Sequence, residues 1–267
     1  MNSFQPKSTA VRAINIARRV ILSRFAPVLY SRGHRAYWEK LKDSYKGRRG
    51  FVIGNGPSLR MSDLDRLQRE ITIASNKIYL AFSETAWRPT YYTVGDLLAA
   101  KKVADQVHEY FDIVHVPIDI GVKFQDCRTY YWKSLMAPKR HPDSTVMFSD
   151  DATQGFYGGY SITYQNLQLA VHMGLNPIYL LGCDHNYKGE IDKRKVGSIR
   201  AGDVQNHFIK GYREVGEIVN TAPIDRLTLA YHHARAWGDA NGVNILNATR
   251  GGELEVFERV EFDQVVG

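Results

Sequence analysis

Short apolar runs alternate with helical stretches from residue 50 to residue 249, and this alternation constrains the fold more than any other feature. The runs are Gly50–Ile53, "ITIASN" (71–76), "TYYTVGD" (90–96), "DIVHVPI" (112–118), "PIYLLGCD" (177–184) and "VNILNAT" (243–249). Between them the spacing predicts a helix opening at a capping box of Ser62 and Asp65, a helix through Leu80 and another over 97–110. A Gly-Gly turn at 158–159 leads into a helix closing at Gly174, and residues 222–240 form a helix with Gly242 at its C-cap. Residues 119–152 are irregular and aromatic, with room for short strands such as "STVMF" (144–148). Strands alternating with helices predict an α/β fold with a doubly wound, mostly parallel, Rossmann-like sheet.

In such sheets ligands bind at the carboxyl ends of the strands. Ligand-type side chains gather at those ends: Asn55, Asn76, Asp96, Asp184 with His185, and Asn247 with Thr249. The first strand runs into "GNGPS", which is neither a Walker loop nor a G-x-G-x-x-G turn. Gly54 and Gly56 allow close backbone approach, and Ser58 offers a hydroxyl near a helix start, where anions are favoured. The same string also suits a tight strand–helix turn with no ligand. Gly158, Gly159, Ser161 and Thr163 make a second turn of this kind, although a hydroxyl there can serve only as an N-cap. Two such turns suit a ligand carrying a diphosphate, or a phosphate and a sugar.

Charge divides the chain unevenly. Residues 1–50 hold 12 Lys and Arg against 2 Asp and Glu, a net of +10, and the remainder is 23 against 26, a net of −3. Within residues 1–49, Val11, Ile14, Ile21, Phe25 and Val28 fall at helical spacing with arginines between them. That pattern fits a basic amphipathic helix on an anionic membrane surface, or a helix packed on the body or in a homo-oligomer interface. The slightly acidic body and the lack of a known module argue against nucleic acid. Two cysteines suggest no disulfide framework, and no run reaches a membrane span. The first apolar stretch is broken by arginines, unlike a signal peptide. The expected location is cytoplasmic, with peripheral contact at the inner membrane face.

"GNGPSL", "SNKIY", "GGYSIT", "MGLNPIYLLGCDHNY" and "NHF" together resemble the MptE-like family, named after archaeal 6-hydroxymethylpterin pyrophosphokinases. The resemblance runs from about Gly50 to "NATRGGELEVF" (247–257). The same motifs are similar to bacterial sialyltransferases using CMP-activated sugars and to motility-associated glycosyltransferases. That resemblance implies nucleotide contacts at Asn55 and Asn76, a turn near Gly159 and Ser161, a phosphate contact at Tyr187, and a catalytic base at His207. It implies two chemistries. In the favoured one, a CMP-activated acidic sugar passes to a glycan or lipid-linked acceptor in bacterial surface polysaccharide synthesis, with no cofactor required. In the alternative, a diphosphate passes from ATP to a pterin alcohol with Mg²⁺, which Asp96 and Asp184 would hold. A non-catalytic nucleotide-binding module is the third reading.

His108 and His172 fall in helices and read as structural, while His232 and His233 on the late helix leave one to face a ligand. His185 and Asp184 stand at a strand end as further catalytic candidates. A metal site of Asp184, His185 and His207 lacks a spacing signature. An ordinary imidazole pKa near 6.5 would suit His207 as a general base. Residues 185–221 are long for a connection and predict a lid over the site. The catalytic domain is thus read as 50–267.

Overall fold

The computed structural model describes residues 32–137, 146–187, 198–202, 204–220 and 223–267. The basic helix expected within residues 1–31 and part of the expected lid, 188–197, lie outside the described residues.

The strands are β1 (Gly50–Ile53), β2 (Ile71–Ser75), β3 (Tyr91–Thr93), β4 (Ile113–Pro117), β5 (Arg128–Trp132), β6 (Ser134–Leu135), β7 (Phe156–Tyr157), β8 (Ile178–Leu181), β9 (Ser198–Arg200), β10 (Ile218–Asn220), β11 (Ile245–Asn247) and β12 (Glu258–Arg259). The α-helices are α1 (Arg32–Leu41), α2 (Met61–Asp65), α3 (Leu97–Val103), α4 (Ile162–His172), α5 (Ile224–Asn241) and α6 (Phe262–Val266). Eight strands form one sheet in the order β12-β11-β8-β1-β2-β3-β4-β5, and every pairing is parallel. The expected Rossmann-like α/β fold is therefore present. The chain winds outward from β1 to β5 in one direction and from β8 to β12 in the other. The switch point, where such sheets bind ligands, lies between β1 and β8.

Alternation along β1 explains the two layers. Phe51 and Ile53 point to one face and pack with Leu64 of α2, Ala100 and Val103 of α3, and Phe262 of α6. Val52 points to the other face, with Trp38 of α1, Leu167 and Ala170 of α4, and Leu227 and Ala230 of α5. All four residues of β1 are buried, which is why the strand reads as a continuous apolar run.

The division at residue 50 does not mark a packing boundary. Trp38 is fully buried, and its indole N–H donates to the Tyr131 carbonyl at 2.7 Å. Tyr37 stacks on Tyr130 at 3.5 Å between ring centroids and donates its hydroxyl to His115 Nε2 at 2.7 Å. The turn after α1 then bonds along the C-terminal end of α4, with Asp43 N–H on His172 O, Tyr45 N–H on Met173 O and Gly47 N–H on Gly174 O. The expected structural role of His172 holds. Its Nε2–H donates to Trp38 O at 2.9 Å and its Nδ1 accepts from Ala152 N–H at 3.2 Å.

Some boundaries differ from the sequence reading. The Ser62–Asp65 capping box does not form: α2 starts at Met61, its N-cap is Arg60, and no side chain caps it. The helix expected over 97–110 ends at Val103, followed by a single 3-10 turn at Val107–Glu109. Residues 146–148 are not a strand. The two edge strands, β5 and β12, escaped the sequence reading. Among the described residues, no helix is long and apolar enough to cross a membrane.

Candidate functional site

The "GNGPS" turn presses against the end of β8. Gly54 N–H donates to Leu181 O and Gly56 N–H to Gly182 O. A Cβ on Gly54 would lie 2.3 Å from Gly182 O, and one on Gly56 would lie 1.9 Å from Asp184 Oδ2. These glycines are needed because a neighbouring strand end occupies the space. The Asp184 carboxylate is almost wholly buried and accepts from Ser58 N–H at 3.2 Å and from Ser58 Oγ at 2.7 Å. Burial raises its pKa, and the Ser58 hydrogen bonds oppose that shift. Ser58 and Asp184 thus satisfy each other.

Several other candidates have their polar atoms committed to the protein. Asn247 Nδ2 donates to Leu254 O, and its Oδ1 accepts from Thr249 N–H. Thr249 Oγ1 accepts from Cys183 N–H. Ser161 caps α4 by accepting from Thr163 N–H at 3.1 Å. Asp96 caps α3 by accepting from Ala99 N–H at 2.9 Å and also receives the Asn220 amide. Gly159 has a φ of 51° and would clash with Tyr164 if it carried a Cβ, whereas a Cβ on Gly158 would only touch Gln165 Nε2, at 3.9 Å. Thr163 is half-buried at the start of α4, and Tyr187 is half-buried beyond Asp184 with its pKa raised by burial.

Other groups at this edge are buried without a partner among the described residues. Asn55 Nδ2 donates to Ser75 O at 3.1 Å, but its Oδ1 has no donor. The next residue after Ser75 is Asn76, held at a φ of 55°, and its Oδ1 is also unpaired. Two side chains missed in the sequence join them from α4. Asn166 accepts from Thr93 Oγ1 at 2.8 Å and leaves Nδ2 unpaired, and Gln165 leaves Oε1 unpaired beside Gly95. Gln168, one turn further on, shows the contrast: it accepts from Ser149 and Tyr157 N–H and donates to Tyr157 and Tyr164 carbonyls. Buried amides are normally satisfied in this way, whereas the unpaired atoms of Asn55, Asn76, Gln165 and Asn166 leave hydrogen-bonding capacity that water or a ligand can use. The sequence signal was "YQNLQ", three amides in a helix that is otherwise buried and apolar.

The two histidine candidates stand differently. His185, at a φ of 54°, donates Nε2–H to Thr228 Oγ1 at 2.7 Å, since that hydroxyl itself donates to Ile224 O. Its Nδ1 is buried and unpaired among the described residues, and burial lowers its pKa. His207 lies in the connection between β9 and β10, where its neighbour Phe208 meets the sheet edge. Phe208 N–H donates to Asn55 O at 3.1 Å, and the His207 ring stacks on Tyr212 at 3.9 Å with 7° between planes. Lys77 Nζ donates to Tyr212 O at 2.7 Å. The expectation of an ordinary imidazole is not met. Burial, then Arg213, then Lys77 push the His207 pKa down to about 3. His232 is exposed and His233 half-buried on α5.

Among the described residues, no three His, Cys, Asp or Glu side chains are placed to share a metal ion. Asp184 is bound up with Ser58 at the β1–β8 seam, and Asp96 with the α3 N-terminus and Asn220. The pair expected to hold Mg²⁺ therefore does not form a donor set that fits it.

The family model described as 6-hydroxymethylpterin diphosphokinase MptE-like matches residues 30–190. Among solved structures, the MAf glycosyltransferase from Magnetospirillum magneticum AMB-1 is similar, at 15% identity and a TM-score of 0.48. That match covers 83% of this chain but only 35% of that protein's length. No curated protein matches.

Proposed function

The chain belongs to the 6-hydroxymethylpterin diphosphokinase MptE-like family, and from that premise we propose that it is a glycosyltransferase using a nucleotide-activated sugar. The observation that carries this reading is the group of amides with unpaired buried atoms, Asn55, Asn76, Gln165 and Asn166, at the carboxyl ends of β1 and β2 and the start of α4. Neutral amides with spare donors and acceptors suit the edge of a nucleobase and a sugar. A CMP-activated acidic sugar is the donor we favour, because CMP can depart with help from hydroxyls and amides. In the transfer, the acceptor hydroxyl oxygen bonds to the anomeric carbon. The bond from that carbon to the CMP phosphate oxygen breaks, CMP leaves with its electron pair, and the hydroxyl proton passes to His207. The described lid segment, docked on Asn55, would keep water from the donor.

Diphosphate transfer to a pterin is the second reading, and the family description itself favours it. Its Mg²⁺ would need carboxylates that Asp96 and Asp184 do not offer together. A thermal-shift panel of CMP, CDP, UDP, GDP and ATP, with and without Mg²⁺, separates the readings, because a ligand of the native state raises the melting temperature. Stabilisation by CMP without metal is the expected result. Stabilisation by Mg-ATP alone would overturn glycosyl transfer in favour of diphosphate transfer.

A further inference from the structure

The glycine turn would be the ordinary anion receptor of this fold. Here a side chain fills it, because Asp184 takes both the N–H and the hydroxyl of Ser58. A phosphate brought to that turn would meet a carboxylate. The positive charge at this edge lies one strand away. Lys77 directly follows Asn76 at the end of β2, and its Nζ sits 5.8 Å from the Tyr212 ring centroid. Arg213 follows Tyr212 and is half-buried. It acts electrostatically on His207, on Lys77 and on Tyr187. The other charged groups facing Lys77 are Glu214, Glu217 and Lys102, and Glu217 is already paired with Lys102. The imidazole of His207 lies flat on Tyr212, whose carbonyl accepts from Lys77 Nζ at 2.7 Å, and the next residue, Phe208, donates its N–H to Asn55 O.

We propose that Lys77 and Arg213 form the subsite for the donor's phosphate, and that filling it makes His207 a competent base. Two cations held beside a buried imidazole oppose its protonation. An anion placed between them cancels that opposition and supplies an attractive charge of its own. The base is then idle without donor and active only when donor is bound, which ties proton removal from the acceptor to occupancy of the donor site. This inference rests on the nucleotide-site reading above, and not on which group is transferred.

The test follows the His207 imidazole in the full chain by nitrogen-15 NMR across the acid-to-neutral range, with and without saturating inorganic pyrophosphate or CMP. The His207→Gln variant assigns the signal. Pyrophosphate should raise the His207 midpoint by about one pH unit or more, a tenfold gain in proton affinity. Lys77→Met and Arg213→Gln should each weaken pyrophosphate binding about tenfold, as expected for a lost charge-assisted hydrogen bond. Lys101→Met, which removes an exposed cation of α3 that is not among the charged groups facing Lys77, should leave that affinity unchanged. An unmoved His207 signal at saturation would overturn the proposal. So would an equal loss in all three variants, which would mean general charge and not a subsite. The native-chain titration decides the matter even if a substitution impairs folding. A chain that binds pyrophosphate in this way and transfers no sugar from any CMP donor would sink glycosyl transfer and leave the subsite standing.

Discussion

Asn76 combines two unusual properties, a left-handed backbone and a buried amide oxygen with no donor. Glycine tolerates the same backbone angle, so Asn76→Gly removes the amide without adding strain. The fold should lose at most about 1 kcal/mol from added chain entropy, offset by removal of the unpaired oxygen. CMP affinity should fall at least about fivefold, because a ligand donor would then be buried alone. Calorimetric titration against CMP, beside a melting curve, checks both halves. Unchanged affinity would take Asn76 out of the cradle. Gly56→Ala should behave in the opposite way. Its new methyl would meet the Asp184 carboxylate, and overpacking of this kind costs about 1–3 kcal/mol of stability, to be read from denaturant unfolding.

Among the elements, the β9–β10 hairpin depends on few ties. Its described residues reach the sheet layer through the ion pair of Glu217 with Lys102, the contact of Asn220 with Asp96, the Phe208 N–H bond to Asn55 O, and the bonds of Lys77 to Tyr212. Glu217→Gln should weaken docking by about 1 kcal/mol, the scale of a partly exposed pair. Amides of residues 204–220 should then exchange with solvent about fivefold faster, while those of β1 and β8 stay protected. Uniform acceleration across the sheet would instead show that the pair supports the whole fold. The elements legible in the sequence were those with a strong local signal. The strands β1, β2, β4 and β8 are apolar runs buried by both layers, and α5 stops where Gly242 adopts a φ of 69°. The edges were not legible. β5 is a run of aromatic and polar residues whose pairing depends on Trp38 and Tyr37, almost a hundred residues upstream, and β12 has only two residues. At the site, the strand-end asparagines could be read from position alone. The occupation of the glycine turn by Asp184 could not, because it depends on a contact across 126 residues.

At the scale of the whole molecule, buried neutral histidines tie stability to pH. His115 is enclosed between α1 and the sheet, donating Nδ1–H to Tyr92 O and accepting from Tyr37, and burial lowers its pKa to about 4. The unfolded chain, with a pKa near 6.5, takes up the proton first. Stability is therefore complete above the unfolded value, falls as pH drops towards the folded one, and loses nothing more from this group below it. The slope should approach about 1.4 kcal/mol per pH unit for each such histidine. His172 and His185 shift in the same direction and should steepen it. Asp184, with its pKa raised, acts in the opposite sense at the acid end, so the slope is best measured in the upper part of the window. Denaturant unfolding across that window checks this, and a flat profile would contradict it.

The carboxylate of Asp184 in the glycine turn also bears on what a motif can tell. A chain that had lost all transferase chemistry would still be stabilised by Gly54, Gly56, Ser58 and Asp184, since they pack and bond the seam between β1 and β8. The string "GNGPSL" is therefore a signature of architecture, and searching with it recovers proteins that share a sheet and not necessarily a reaction. The letters that should sort active chains from inert ones are less conspicuous: the amide and lysine of "SNKIY", the paired amides of "YQNLQ", and His207 and Arg213 between β9 and β10.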